Sequence, residues 1–171
     1  MKSIIIIRHA DASYDTNVPT DFDRPLTNQG LLDAKVMGKA LADKKPNINL
    51  ILSSSANRAI TTARIIAEQI EYDKRIEEKK RIYNASSREI LDIMSQINNE
   101  INSVIIFGHN PGLHMLTEQL SNQNFNQFPQ CAIAKITLNF TSWEAINNLY
   151  LKEGNESIGS LEYFLTPKKI T

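Results

Sequence analysis

The stretch Ser3-Ile4-Ile5-Ile6-Ile7-Arg8-His9-Ala10 decides the fold class. Four consecutive β-branched residues make a run too short for an ordinary helix. Bounded by polar residues, it reads as a strand buried on both faces of a parallel or mixed sheet. The run ends abruptly on Arg8-His9. In open α/β sheets ligands bind beyond the carboxyl ends of the strands, so this pair stands where chemistry is usually placed. Ser103-Val104-Ile105-Ile106-Phe107-Gly108-His109-Asn110-Pro111-Gly112 has the same form: a buried strand, a histidine, then a helix start. Two strands thus deliver two histidines to one sheet edge.

Working outward, residues 10–26 are polar, with two prolines, and read as a loop. Thr27 is then an N-cap, and Leu31, Leu32, Ala34, Val36, Met37, Ala40 and Leu41 supply a helical apolar face. Leu50-Ile51-Leu52 makes a second strand, leading through Ser53-Ser54-Ser55 into a helix that carries Arg58, Thr62, Ala63 and Ile66. A short third strand is expected around Arg81-Ile82-Tyr83. Ser86 and Glu89 have capping-box spacing, and Ile90, Leu91, Ile93, Met94 and Ile97 continue that helix. Pro111 suits the first position of the next helix, with Leu113, Leu116 and Leu120 on one side.

The tail differs. Ala132–Phe140 alternates apolar and polar residues, Ser160–Leu165 is strand-like, and Gly154 and Gly159 punctuate the link, so the two runs are expected to pair antiparallel. Ser121–Gln127 reads as a surface loop. The sum is one α/β domain over residues 1–171, three layers deep (α/β/α), with a mostly parallel sheet of about six strands and a C-terminal antiparallel hairpin. There are no internal repeats and no low-complexity segment.

Bulk properties narrow the classes. A chain of 171 residues suits one domain, and such a domain buries about 70% of its unfolded surface, so it needs no disulfide or metal staple. The one cysteine, Cys131, cannot form an internal bridge and suits a reducing compartment. Nineteen basic and nineteen acidic residues balance, which argues against general affinity for nucleic acid or an anionic membrane. The isoleucine run is too short for a signal-peptide core, and no stretch reaches the length of a membrane helix. A soluble, cytoplasmic, monomeric protein is the simplest expectation.

Each candidate residue has an ordinary reading beside the chemical one. A histidine at a strand end is most often a satisfied polar residue, and a lone arginine a surface or salt-bridge group. Adjacent, at the end of an almost wholly apolar strand, Arg8 and His9 need a partner that an anion would provide. His109 lies between a buried strand and a helix start, where free N–H groups and the helix dipole favour an anion, and Gly108 and Gly112 would let backbone approach it. Arg58 reads alone as an exposed helix arginine, but its helix begins at the same sheet edge. Two arginines and two histidines there would form a compact cationic pocket suited to a phosphoryl group. Metal is not expected: His109 and His114 are five apart, off the i, i+4 spacing, and no Cys or Glu joins them. No cofactor-binding signature is present.

Arg8-His9, Asp23-Arg24-Pro25-Leu26-Thr27-x-x-Gly30, Ser54-x-x-x-Arg58-Ala59-x-x-Thr62-Ala63 and Gly108-His109-Asn110-Pro111-Gly112 occur in the order and spacing of the histidine phosphatase superfamily. The chain most resembles the small bacterial phosphohistidine phosphatases of the SixA type. Ser142-Trp143 and Phe164-Leu165-Thr166-Pro167 extend the likeness through the tail. The resemblance implies a phosphoglycerate mutase-like fold and catalysis without metal. It makes His9 the nucleophile and Arg8, Arg58 and His109 the holders of the phosphoryl oxygens. Arg24 could reach the phosphate from its loop, with capping or salt-bridging as its other reading. Thr62 reads as helix packing and Trp143 as a core anchor. The implied partner is a phosphohistidine-bearing protein, such as a phosphotransfer domain, or a small phosphorylated substrate.

Three departures matter. Ala10 stands where the family usually has Gly, and Ser55 where Pro is frequent. The glutamate general acid that larger branches carry after the third strand is absent from Tyr83-Asn84-Ala85-Ser86. Three functions therefore compete: a phosphohistidine phosphatase, a phosphomonoesterase for a small phosphometabolite or for phosphoserine or phosphothreonine, with Asp21 or Asp23 as its acid, and a non-catalytic phosphate-binding domain.

Overall fold

The isoleucine run lies inside β1 (Lys2–Arg8), and all four isoleucines are fully buried. Successive side chains of a strand point to opposite faces, so the run feeds two cores. Ile4 and Ile6 join Met94, Leu113 and Trp143 on one face, while Ile5 and Ile7 join Met37, Leu41 and Ile66 on the other. Each buried isoleucine contributes about 1.5–3 kcal/mol, which is why helices must cover both sides of this strand.

The computed structural model describes residues 1–15, 17–150 and 158–170. After β1 come α1 (Asn28–Ala42), β2 (Leu50–Ser53), α2 (Asn57–Gln69), β3 (Glu77–Glu78), α3 (Ser87–Ser95), β4 (Ser103–Gly108), α4 (Gly112–Ser121), β5 (Ile133–Leu138) and β6 (Gly159–Leu165). The sheet runs β3-β2-β4-β1-β5-β6. Neighbours from β3 to β1 pair in parallel, and β5 pairs antiparallel with both β1 and β6. α1 and α2 pack on one face; α3, α4 and the turn that carries Trp143 pack on the other. This is the expected three-layer α/β/α architecture with its antiparallel C-terminal pair. Among the described residues no helix is long and apolar enough to cross a membrane.

Local expectations mostly hold, except that Leu31 and Leu32 are exposed, because α1 turns Ala34, Met37 and Leu41 toward the sheet instead. Thr27 caps α1 by accepting from the Gly30 N–H, and Ser86 with Glu89 forms both halves of the capping box on α3. Leu113, Leu116 and Leu120 are fully buried, as is Trp143, whose indole N–H donates to the Ile101 carbonyl. The expected surface loop Ser121–Gln127 starts one residue later: Ser121 is the buried last residue of α4, and 122–127 are largely exposed.

The third strand needs correction. It is only Glu77–Glu78, and Lys80–Ile82 is a 3₁₀ turn. The Lys79 N–H still reaches the Ser53 carbonyl, but β2 ends there, so no partner remains for Arg81–Tyr83. The turn instead buries Ile82 beneath the sheet edge. Two boundaries also move: Pro111 is the N-cap rather than the first residue of α4, and α3 ends before Ile97, which still packs on the core. Gly154 lies outside the described residues.

One consequence of register places the site. Arg8 pairs with Gly108 and Ser53 with Phe107, so β1, β4 and β2 end level with one another. The pairing runs one residue further, with His9 N–H to Gly108 O at 3.1 Å and Ser54 N–H to Phe107 O at 2.9 Å. His9, His109 and Ser54 therefore leave the sheet side by side.

Candidate active site

His9 is held by its own strand end. Its Nδ1 lies 2.7 Å from the Ala10 carbonyl, and a carbonyl can only accept, so Nδ1 carries the proton. Nε2 is left with its lone pair, 3.4 Å from the Arg58 Nε–H. Burial is the main force lowering the pKa of His9 to about 4, and the nearby Arg58, Arg8 and Arg24 charges add to it. The ring is therefore neutral at pH 7, with its free nitrogen facing a guanidinium. Ala10, where glycine is usual, is wholly buried and has no positive φ, so its methyl costs no backbone strain.

His109 stands beside it with ring centroids 5.1 Å apart. Its Nε2 lies 2.8 Å from Ser54 Oγ, and that oxygen also accepts from the Ala56 N–H at 3.2 Å. Its Nδ1 is buried without a hydrogen-bond partner among the described residues. Burial first, then the neighbouring His9 and Arg58, lowers its pKa to about 3.

The two arginines arrive differently. Arg8, the last residue of β1, donates from Nη1 to the Phe128 carbonyl at 3.1 Å, while its buried Nε has no partner among the described residues. The same carbonyl accepts from Asn110 Nδ2 at 2.8 Å, so one backbone oxygen braces both strand ends. Arg58 sits in the first turn of α2 and is buried, against its ordinary surface reading. One turn on, Thr62 Oγ1 donates to the Arg58 carbonyl and accepts from the Ala10 N–H. Thr62 is thus a tie between α2 and the residue after His9, more than packing.

The structure brings Arg8, His9, Arg58 and His109 together at the carboxyl edge of the sheet. Arg24 stands apart. Its guanidinium donates to the Ser13 and Ala12 carbonyls and to Asp21, and lies 4.1 Å from the Tyr14 ring centroid, so it braces the loop. Its charge is still felt at His9. Asp23 accepts from Thr20 Oγ1 at 2.6 Å.

Asp21 occupies the mouth of the cluster. Its carbonyl accepts from Arg58 Nη1 at 2.7 Å, and its Oδ2 from Arg58 Nη2 at 3.0 Å and from the Tyr83 hydroxyl at 2.7 Å. Oδ1 accepts from Arg24 Nη1 at 2.9 Å. The Tyr83 bond first, then Arg24 and Arg58, hold this carboxyl well below the usual carboxylate range. Tyr83 also meets His109 edge-on at 5.5 Å and Phe22 edge-on at 5.1 Å.

Sequence reasoning missed Ser54, the Thr62 tie and Tyr83 as parts of the site. Ser54 carried a signal, since it follows a strand end level with the histidines. Tyr83 was hidden inside a segment read as strand. Beside Arg8 and Asn110 opens a cavity of about 460 Å³ that His114, Gln127 and Gln130 also line. A larger one of about 650 Å³ lies between Leu52 and Ile93, away from both histidines.

Residues 4–85 match the family model of the histidine phosphatase superfamily (branch 1). An uncharacterised protein of Mycobacterium tuberculosis is 28% identical over 105 residues, covering 61% of this chain and 63% of the relative's length. An uncharacterised chloroplastic protein of Arabidopsis thaliana is 26% identical over 152 residues, covering 84% and 69%. Among solved structures, the protein histidine phosphatase SixA complexed with tungstate superposes with a TM-score of 0.81 at 23% identity, covering 99% of each chain. A phosphoserine phosphatase of Entamoeba histolytica in complex with phosphoserine superposes at 0.66 with 14% identity, covering 98% of each. At these identities the structural likeness is one of fold.

Proposed function

We propose that this member of the histidine phosphatase superfamily is a phosphatase that hydrolyses phosphohistidine, carried on a protein, through a phosphorylated His9. The carrying observation is the tautomer of His9: the proton is pinned on Nδ1 by the Ala10 carbonyl, and the lone pair on Nε2 faces Arg58. A buried neutral imidazole so placed is a nucleophile that needs no base. His9 Nε2 attacks phosphorus, the bond from phosphorus to the leaving nitrogen breaks, and the departing ring takes the electron pair. Arg8, Arg58 and His109 hold the phosphoryl oxygens, where charge-assisted bonds replace hydration. The unpartnered Arg8 Nε and His109 Nδ1 are the donor positions this assignment would fill. Water then attacks the phosphorus on His9, releasing phosphate and restoring the ring. No step is routed through a metal.

The leaving group decides between P–N and P–O substrates. An alkoxide needs a proton from a general acid, typically worth about 10²–10⁴-fold. The carboxyl at the mouth, Asp21, is held ionised by Tyr83, Arg24 and Arg58, so it has no proton to give. A phosphohistidine whose other ring nitrogen is protonated leaves as neutral imidazole without that help. Phosphomonoesterase activity is the second reading, favoured only by the presence of Asp21 at the mouth, and a non-catalytic phosphate-binding domain is the third.

The test compares kcat/KM for a phosphohistidine peptide with that for an alkyl phosphate of similar size. The expected result is a clear preference for phosphohistidine, with an acid-labile, base-stable phosphoryl adduct trapped on His9. Equal rates, or a preference for the ester, would reject the phosphohistidine reading. Loss of the ester activity alone in Asp21→Asn would then identify the acid.

A further inference from the structure

The rim of the pocket carries a second specificity element. A single guanidinium spans nucleophile and rim, because Arg58 contacts His9 Nε2 through Nε and the Asp21 carboxylate through Nη2. Asp21 is therefore one guanidinium away from the attacking nitrogen, in the short 3₁₀ turn Asp21–Asp23. Its carboxylate has about four acceptor positions. Arg24, Arg58 and the Tyr83 hydroxyl fill three of them, leaving capacity on Oδ1. The Asp21 side chain is 49% exposed, so this remaining acceptor is accessible. Next to it stand two aromatic rings, Tyr83 and Phe22, edge to face at 5.1 Å and both only partly buried. Tyr83 bridges them to the floor, since it also packs edge-on against His109.

We propose that Asp21, Tyr83 and Phe22 form a leaving-group subsite that recognises a flat, N–H-bearing ring, the protonated imidazole of a phosphohistidine. The inference rests on the phosphatase reading above and names the part of the chain that would enforce it. A phosphohistidine presents to the rim what an alkyl ester lacks: a planar ring for the aromatic edges and a distal N–H for the carboxylate. The hydrogen bond from that N–H to Asp21 keeps the distal nitrogen protonated. When the P–N bond breaks, its electron pair returns to the proximal nitrogen, and neutral imidazole departs with the proton it already had. An ionised Asp21 therefore favours a P–N substrate in the same way that it fails a P–O one. Tyr83 has two separable parts, a hydroxyl that orients Asp21 and a ring that receives the substrate.

The experiment measures kcat/KM for a phosphohistidine peptide, for phosphoramidate, which has a P–N bond and no ring, and for ethyl phosphate. Wild type is compared with Asp21→Asn, Tyr83→Leu, Tyr83→Phe and Phe22→Leu. Asp21→Asn is expected to lower the phosphohistidine-to-phosphoramidate ratio by about tenfold or more, the scale of one hydrogen bond to a charged group. Tyr83→Leu and Phe22→Leu should lower it by roughly two- to tenfold, the scale of a lost ring contact. Tyr83→Phe keeps the ring and should lower it less than Tyr83→Leu does. Because each variant is read as a ratio of two substrates on one preparation, partial unfolding cancels. A wild type that prefers phosphohistidine to both others, with ratios unmoved in all four variants, would overturn the subsite and leave the phosphatase reading standing. A wild type that cleaves ethyl phosphate as well as phosphohistidine would overturn the phosphohistidine reading and the subsite together.

Discussion

The floor and the rim of the pocket are built on different principles. The floor consists of Arg8, His9, His109, Ser54 and Arg58, which leave three level strand ends and the first turn of α2, and all of them except the half-buried Arg8 are sealed among side chains and backbone. The rim consists of Asp21, Phe22 and Tyr83, which come from two 3₁₀-turn regions and remain partly or fully exposed. Floor residues are oriented by backbone: the Ala10 carbonyl for His9, the Phe128 carbonyl for Arg8 and Asn110. Rim residues are oriented by one another. In the proposed reaction, what would hold and attack the phosphoryl group thus sits on the rigid sheet edge, while what would select a leaving group sits on loops. Preorganised donors on rigid elements cost no reorganisation during the reaction, whereas loops can vary without disturbing them.

The largest expected effect is at the floor. His9→Ala removes the proposed nucleophile and should lower kcat by about 10³-fold or more, with no adduct trapped, while anion binding through the arginines persists. Near-wild-type turnover in this variant, measured on the phosphohistidine peptide, would break the assignment. Next is Arg58, the residue that floor and rim share. Arg58→Ala should cost about 10²–10³-fold in kcat, the scale of a lost oxyanion donor. It should also release the loop, because Asp21 loses two of its bonds. Hydrogen exchange should then speed up at residues 20–24 and leave β1 and β4 protected. Faster exchange at both would show that floor and rim are one unit, contrary to the division drawn above.

The same division explains what could be read from the chain itself. Ile4–Ile7 and Val104–Phe107 announce buried strands through side-chain type alone, and a strand's end is where its apolar run stops. Four motif segments in register then bring Arg8, His9, Arg58 and His109 to one edge. Rim contacts depend instead on the path of 10–26 and 79–86, where no periodicity operates. Glu77–Glu78 is a two-residue strand with neither side chain buried, so it carries no pattern to detect. Ile82, apolar and next to Tyr83, looked like a strand residue because burial of a single side chain in a turn leaves the same local signature. Arg24 has the family's spacing, yet the nearby carbonyls of Ala12 and Ser13 and the carboxylate of Asp21 satisfy its donors first. Such competition among neighbours is three-dimensional and has no trace in spacing.

Acid should act on the floor before the rim. Unfolded histidine takes up a proton near pH 6.5, whereas His9 and His109 do so only at about 4 and about 3 in the folded chain, chiefly because they are buried. Between these limits the unfolded state binds more protons, so stability is complete above about pH 6.5 and falls as the pH drops toward 4. Each histidine contributes up to about 1.4 kcal/mol per pH unit at the steepest, so roughly 3–4 kcal/mol should be lost between pH 7 and pH 5 from the two together. Asp21 lies below its ordinary carboxyl range and titrates outside this window. Thermal unfolding of wild type, His9→Gln and His109→Gln at the two pH values checks the point. Each replacement should remove about half of the drop; an undiminished drop in both would show that other groups carry it.

The smallest expected effect concerns the tie between the floor's two supports. Thr62 Oγ1 receives the Ala10 N–H at 3.0 Å and donates to the Arg58 carbonyl at 2.7 Å, and it is wholly buried. Thr62→Val keeps the shape and deletes the oxygen. The Arg58 carbonyl retains its place in the first turn of α2, but the Ala10 N–H loses its acceptor. A buried donor left unpaired costs about 1–3 kcal/mol, and the lower end is expected because only one group is orphaned. The change should also reach the chemistry, since the Ala10 peptide whose N–H is freed carries on through the same residue to the carbonyl that holds His9 Nδ1. We therefore expect kcat to fall a few-fold, about two- to fivefold, with KM steady, because the proposed donors to the phosphoryl oxygens are untouched. Thr62→Ser restores the oxygen without the methyl and should recover kcat even if some stability is lost. Urea unfolding alongside steady-state kinetics separates the two effects. A Thr62→Val protein that loses stability but keeps full kcat, or a Thr62→Ser protein that fails to regain kcat, would show that the tie is packing alone and that His9 is oriented without it.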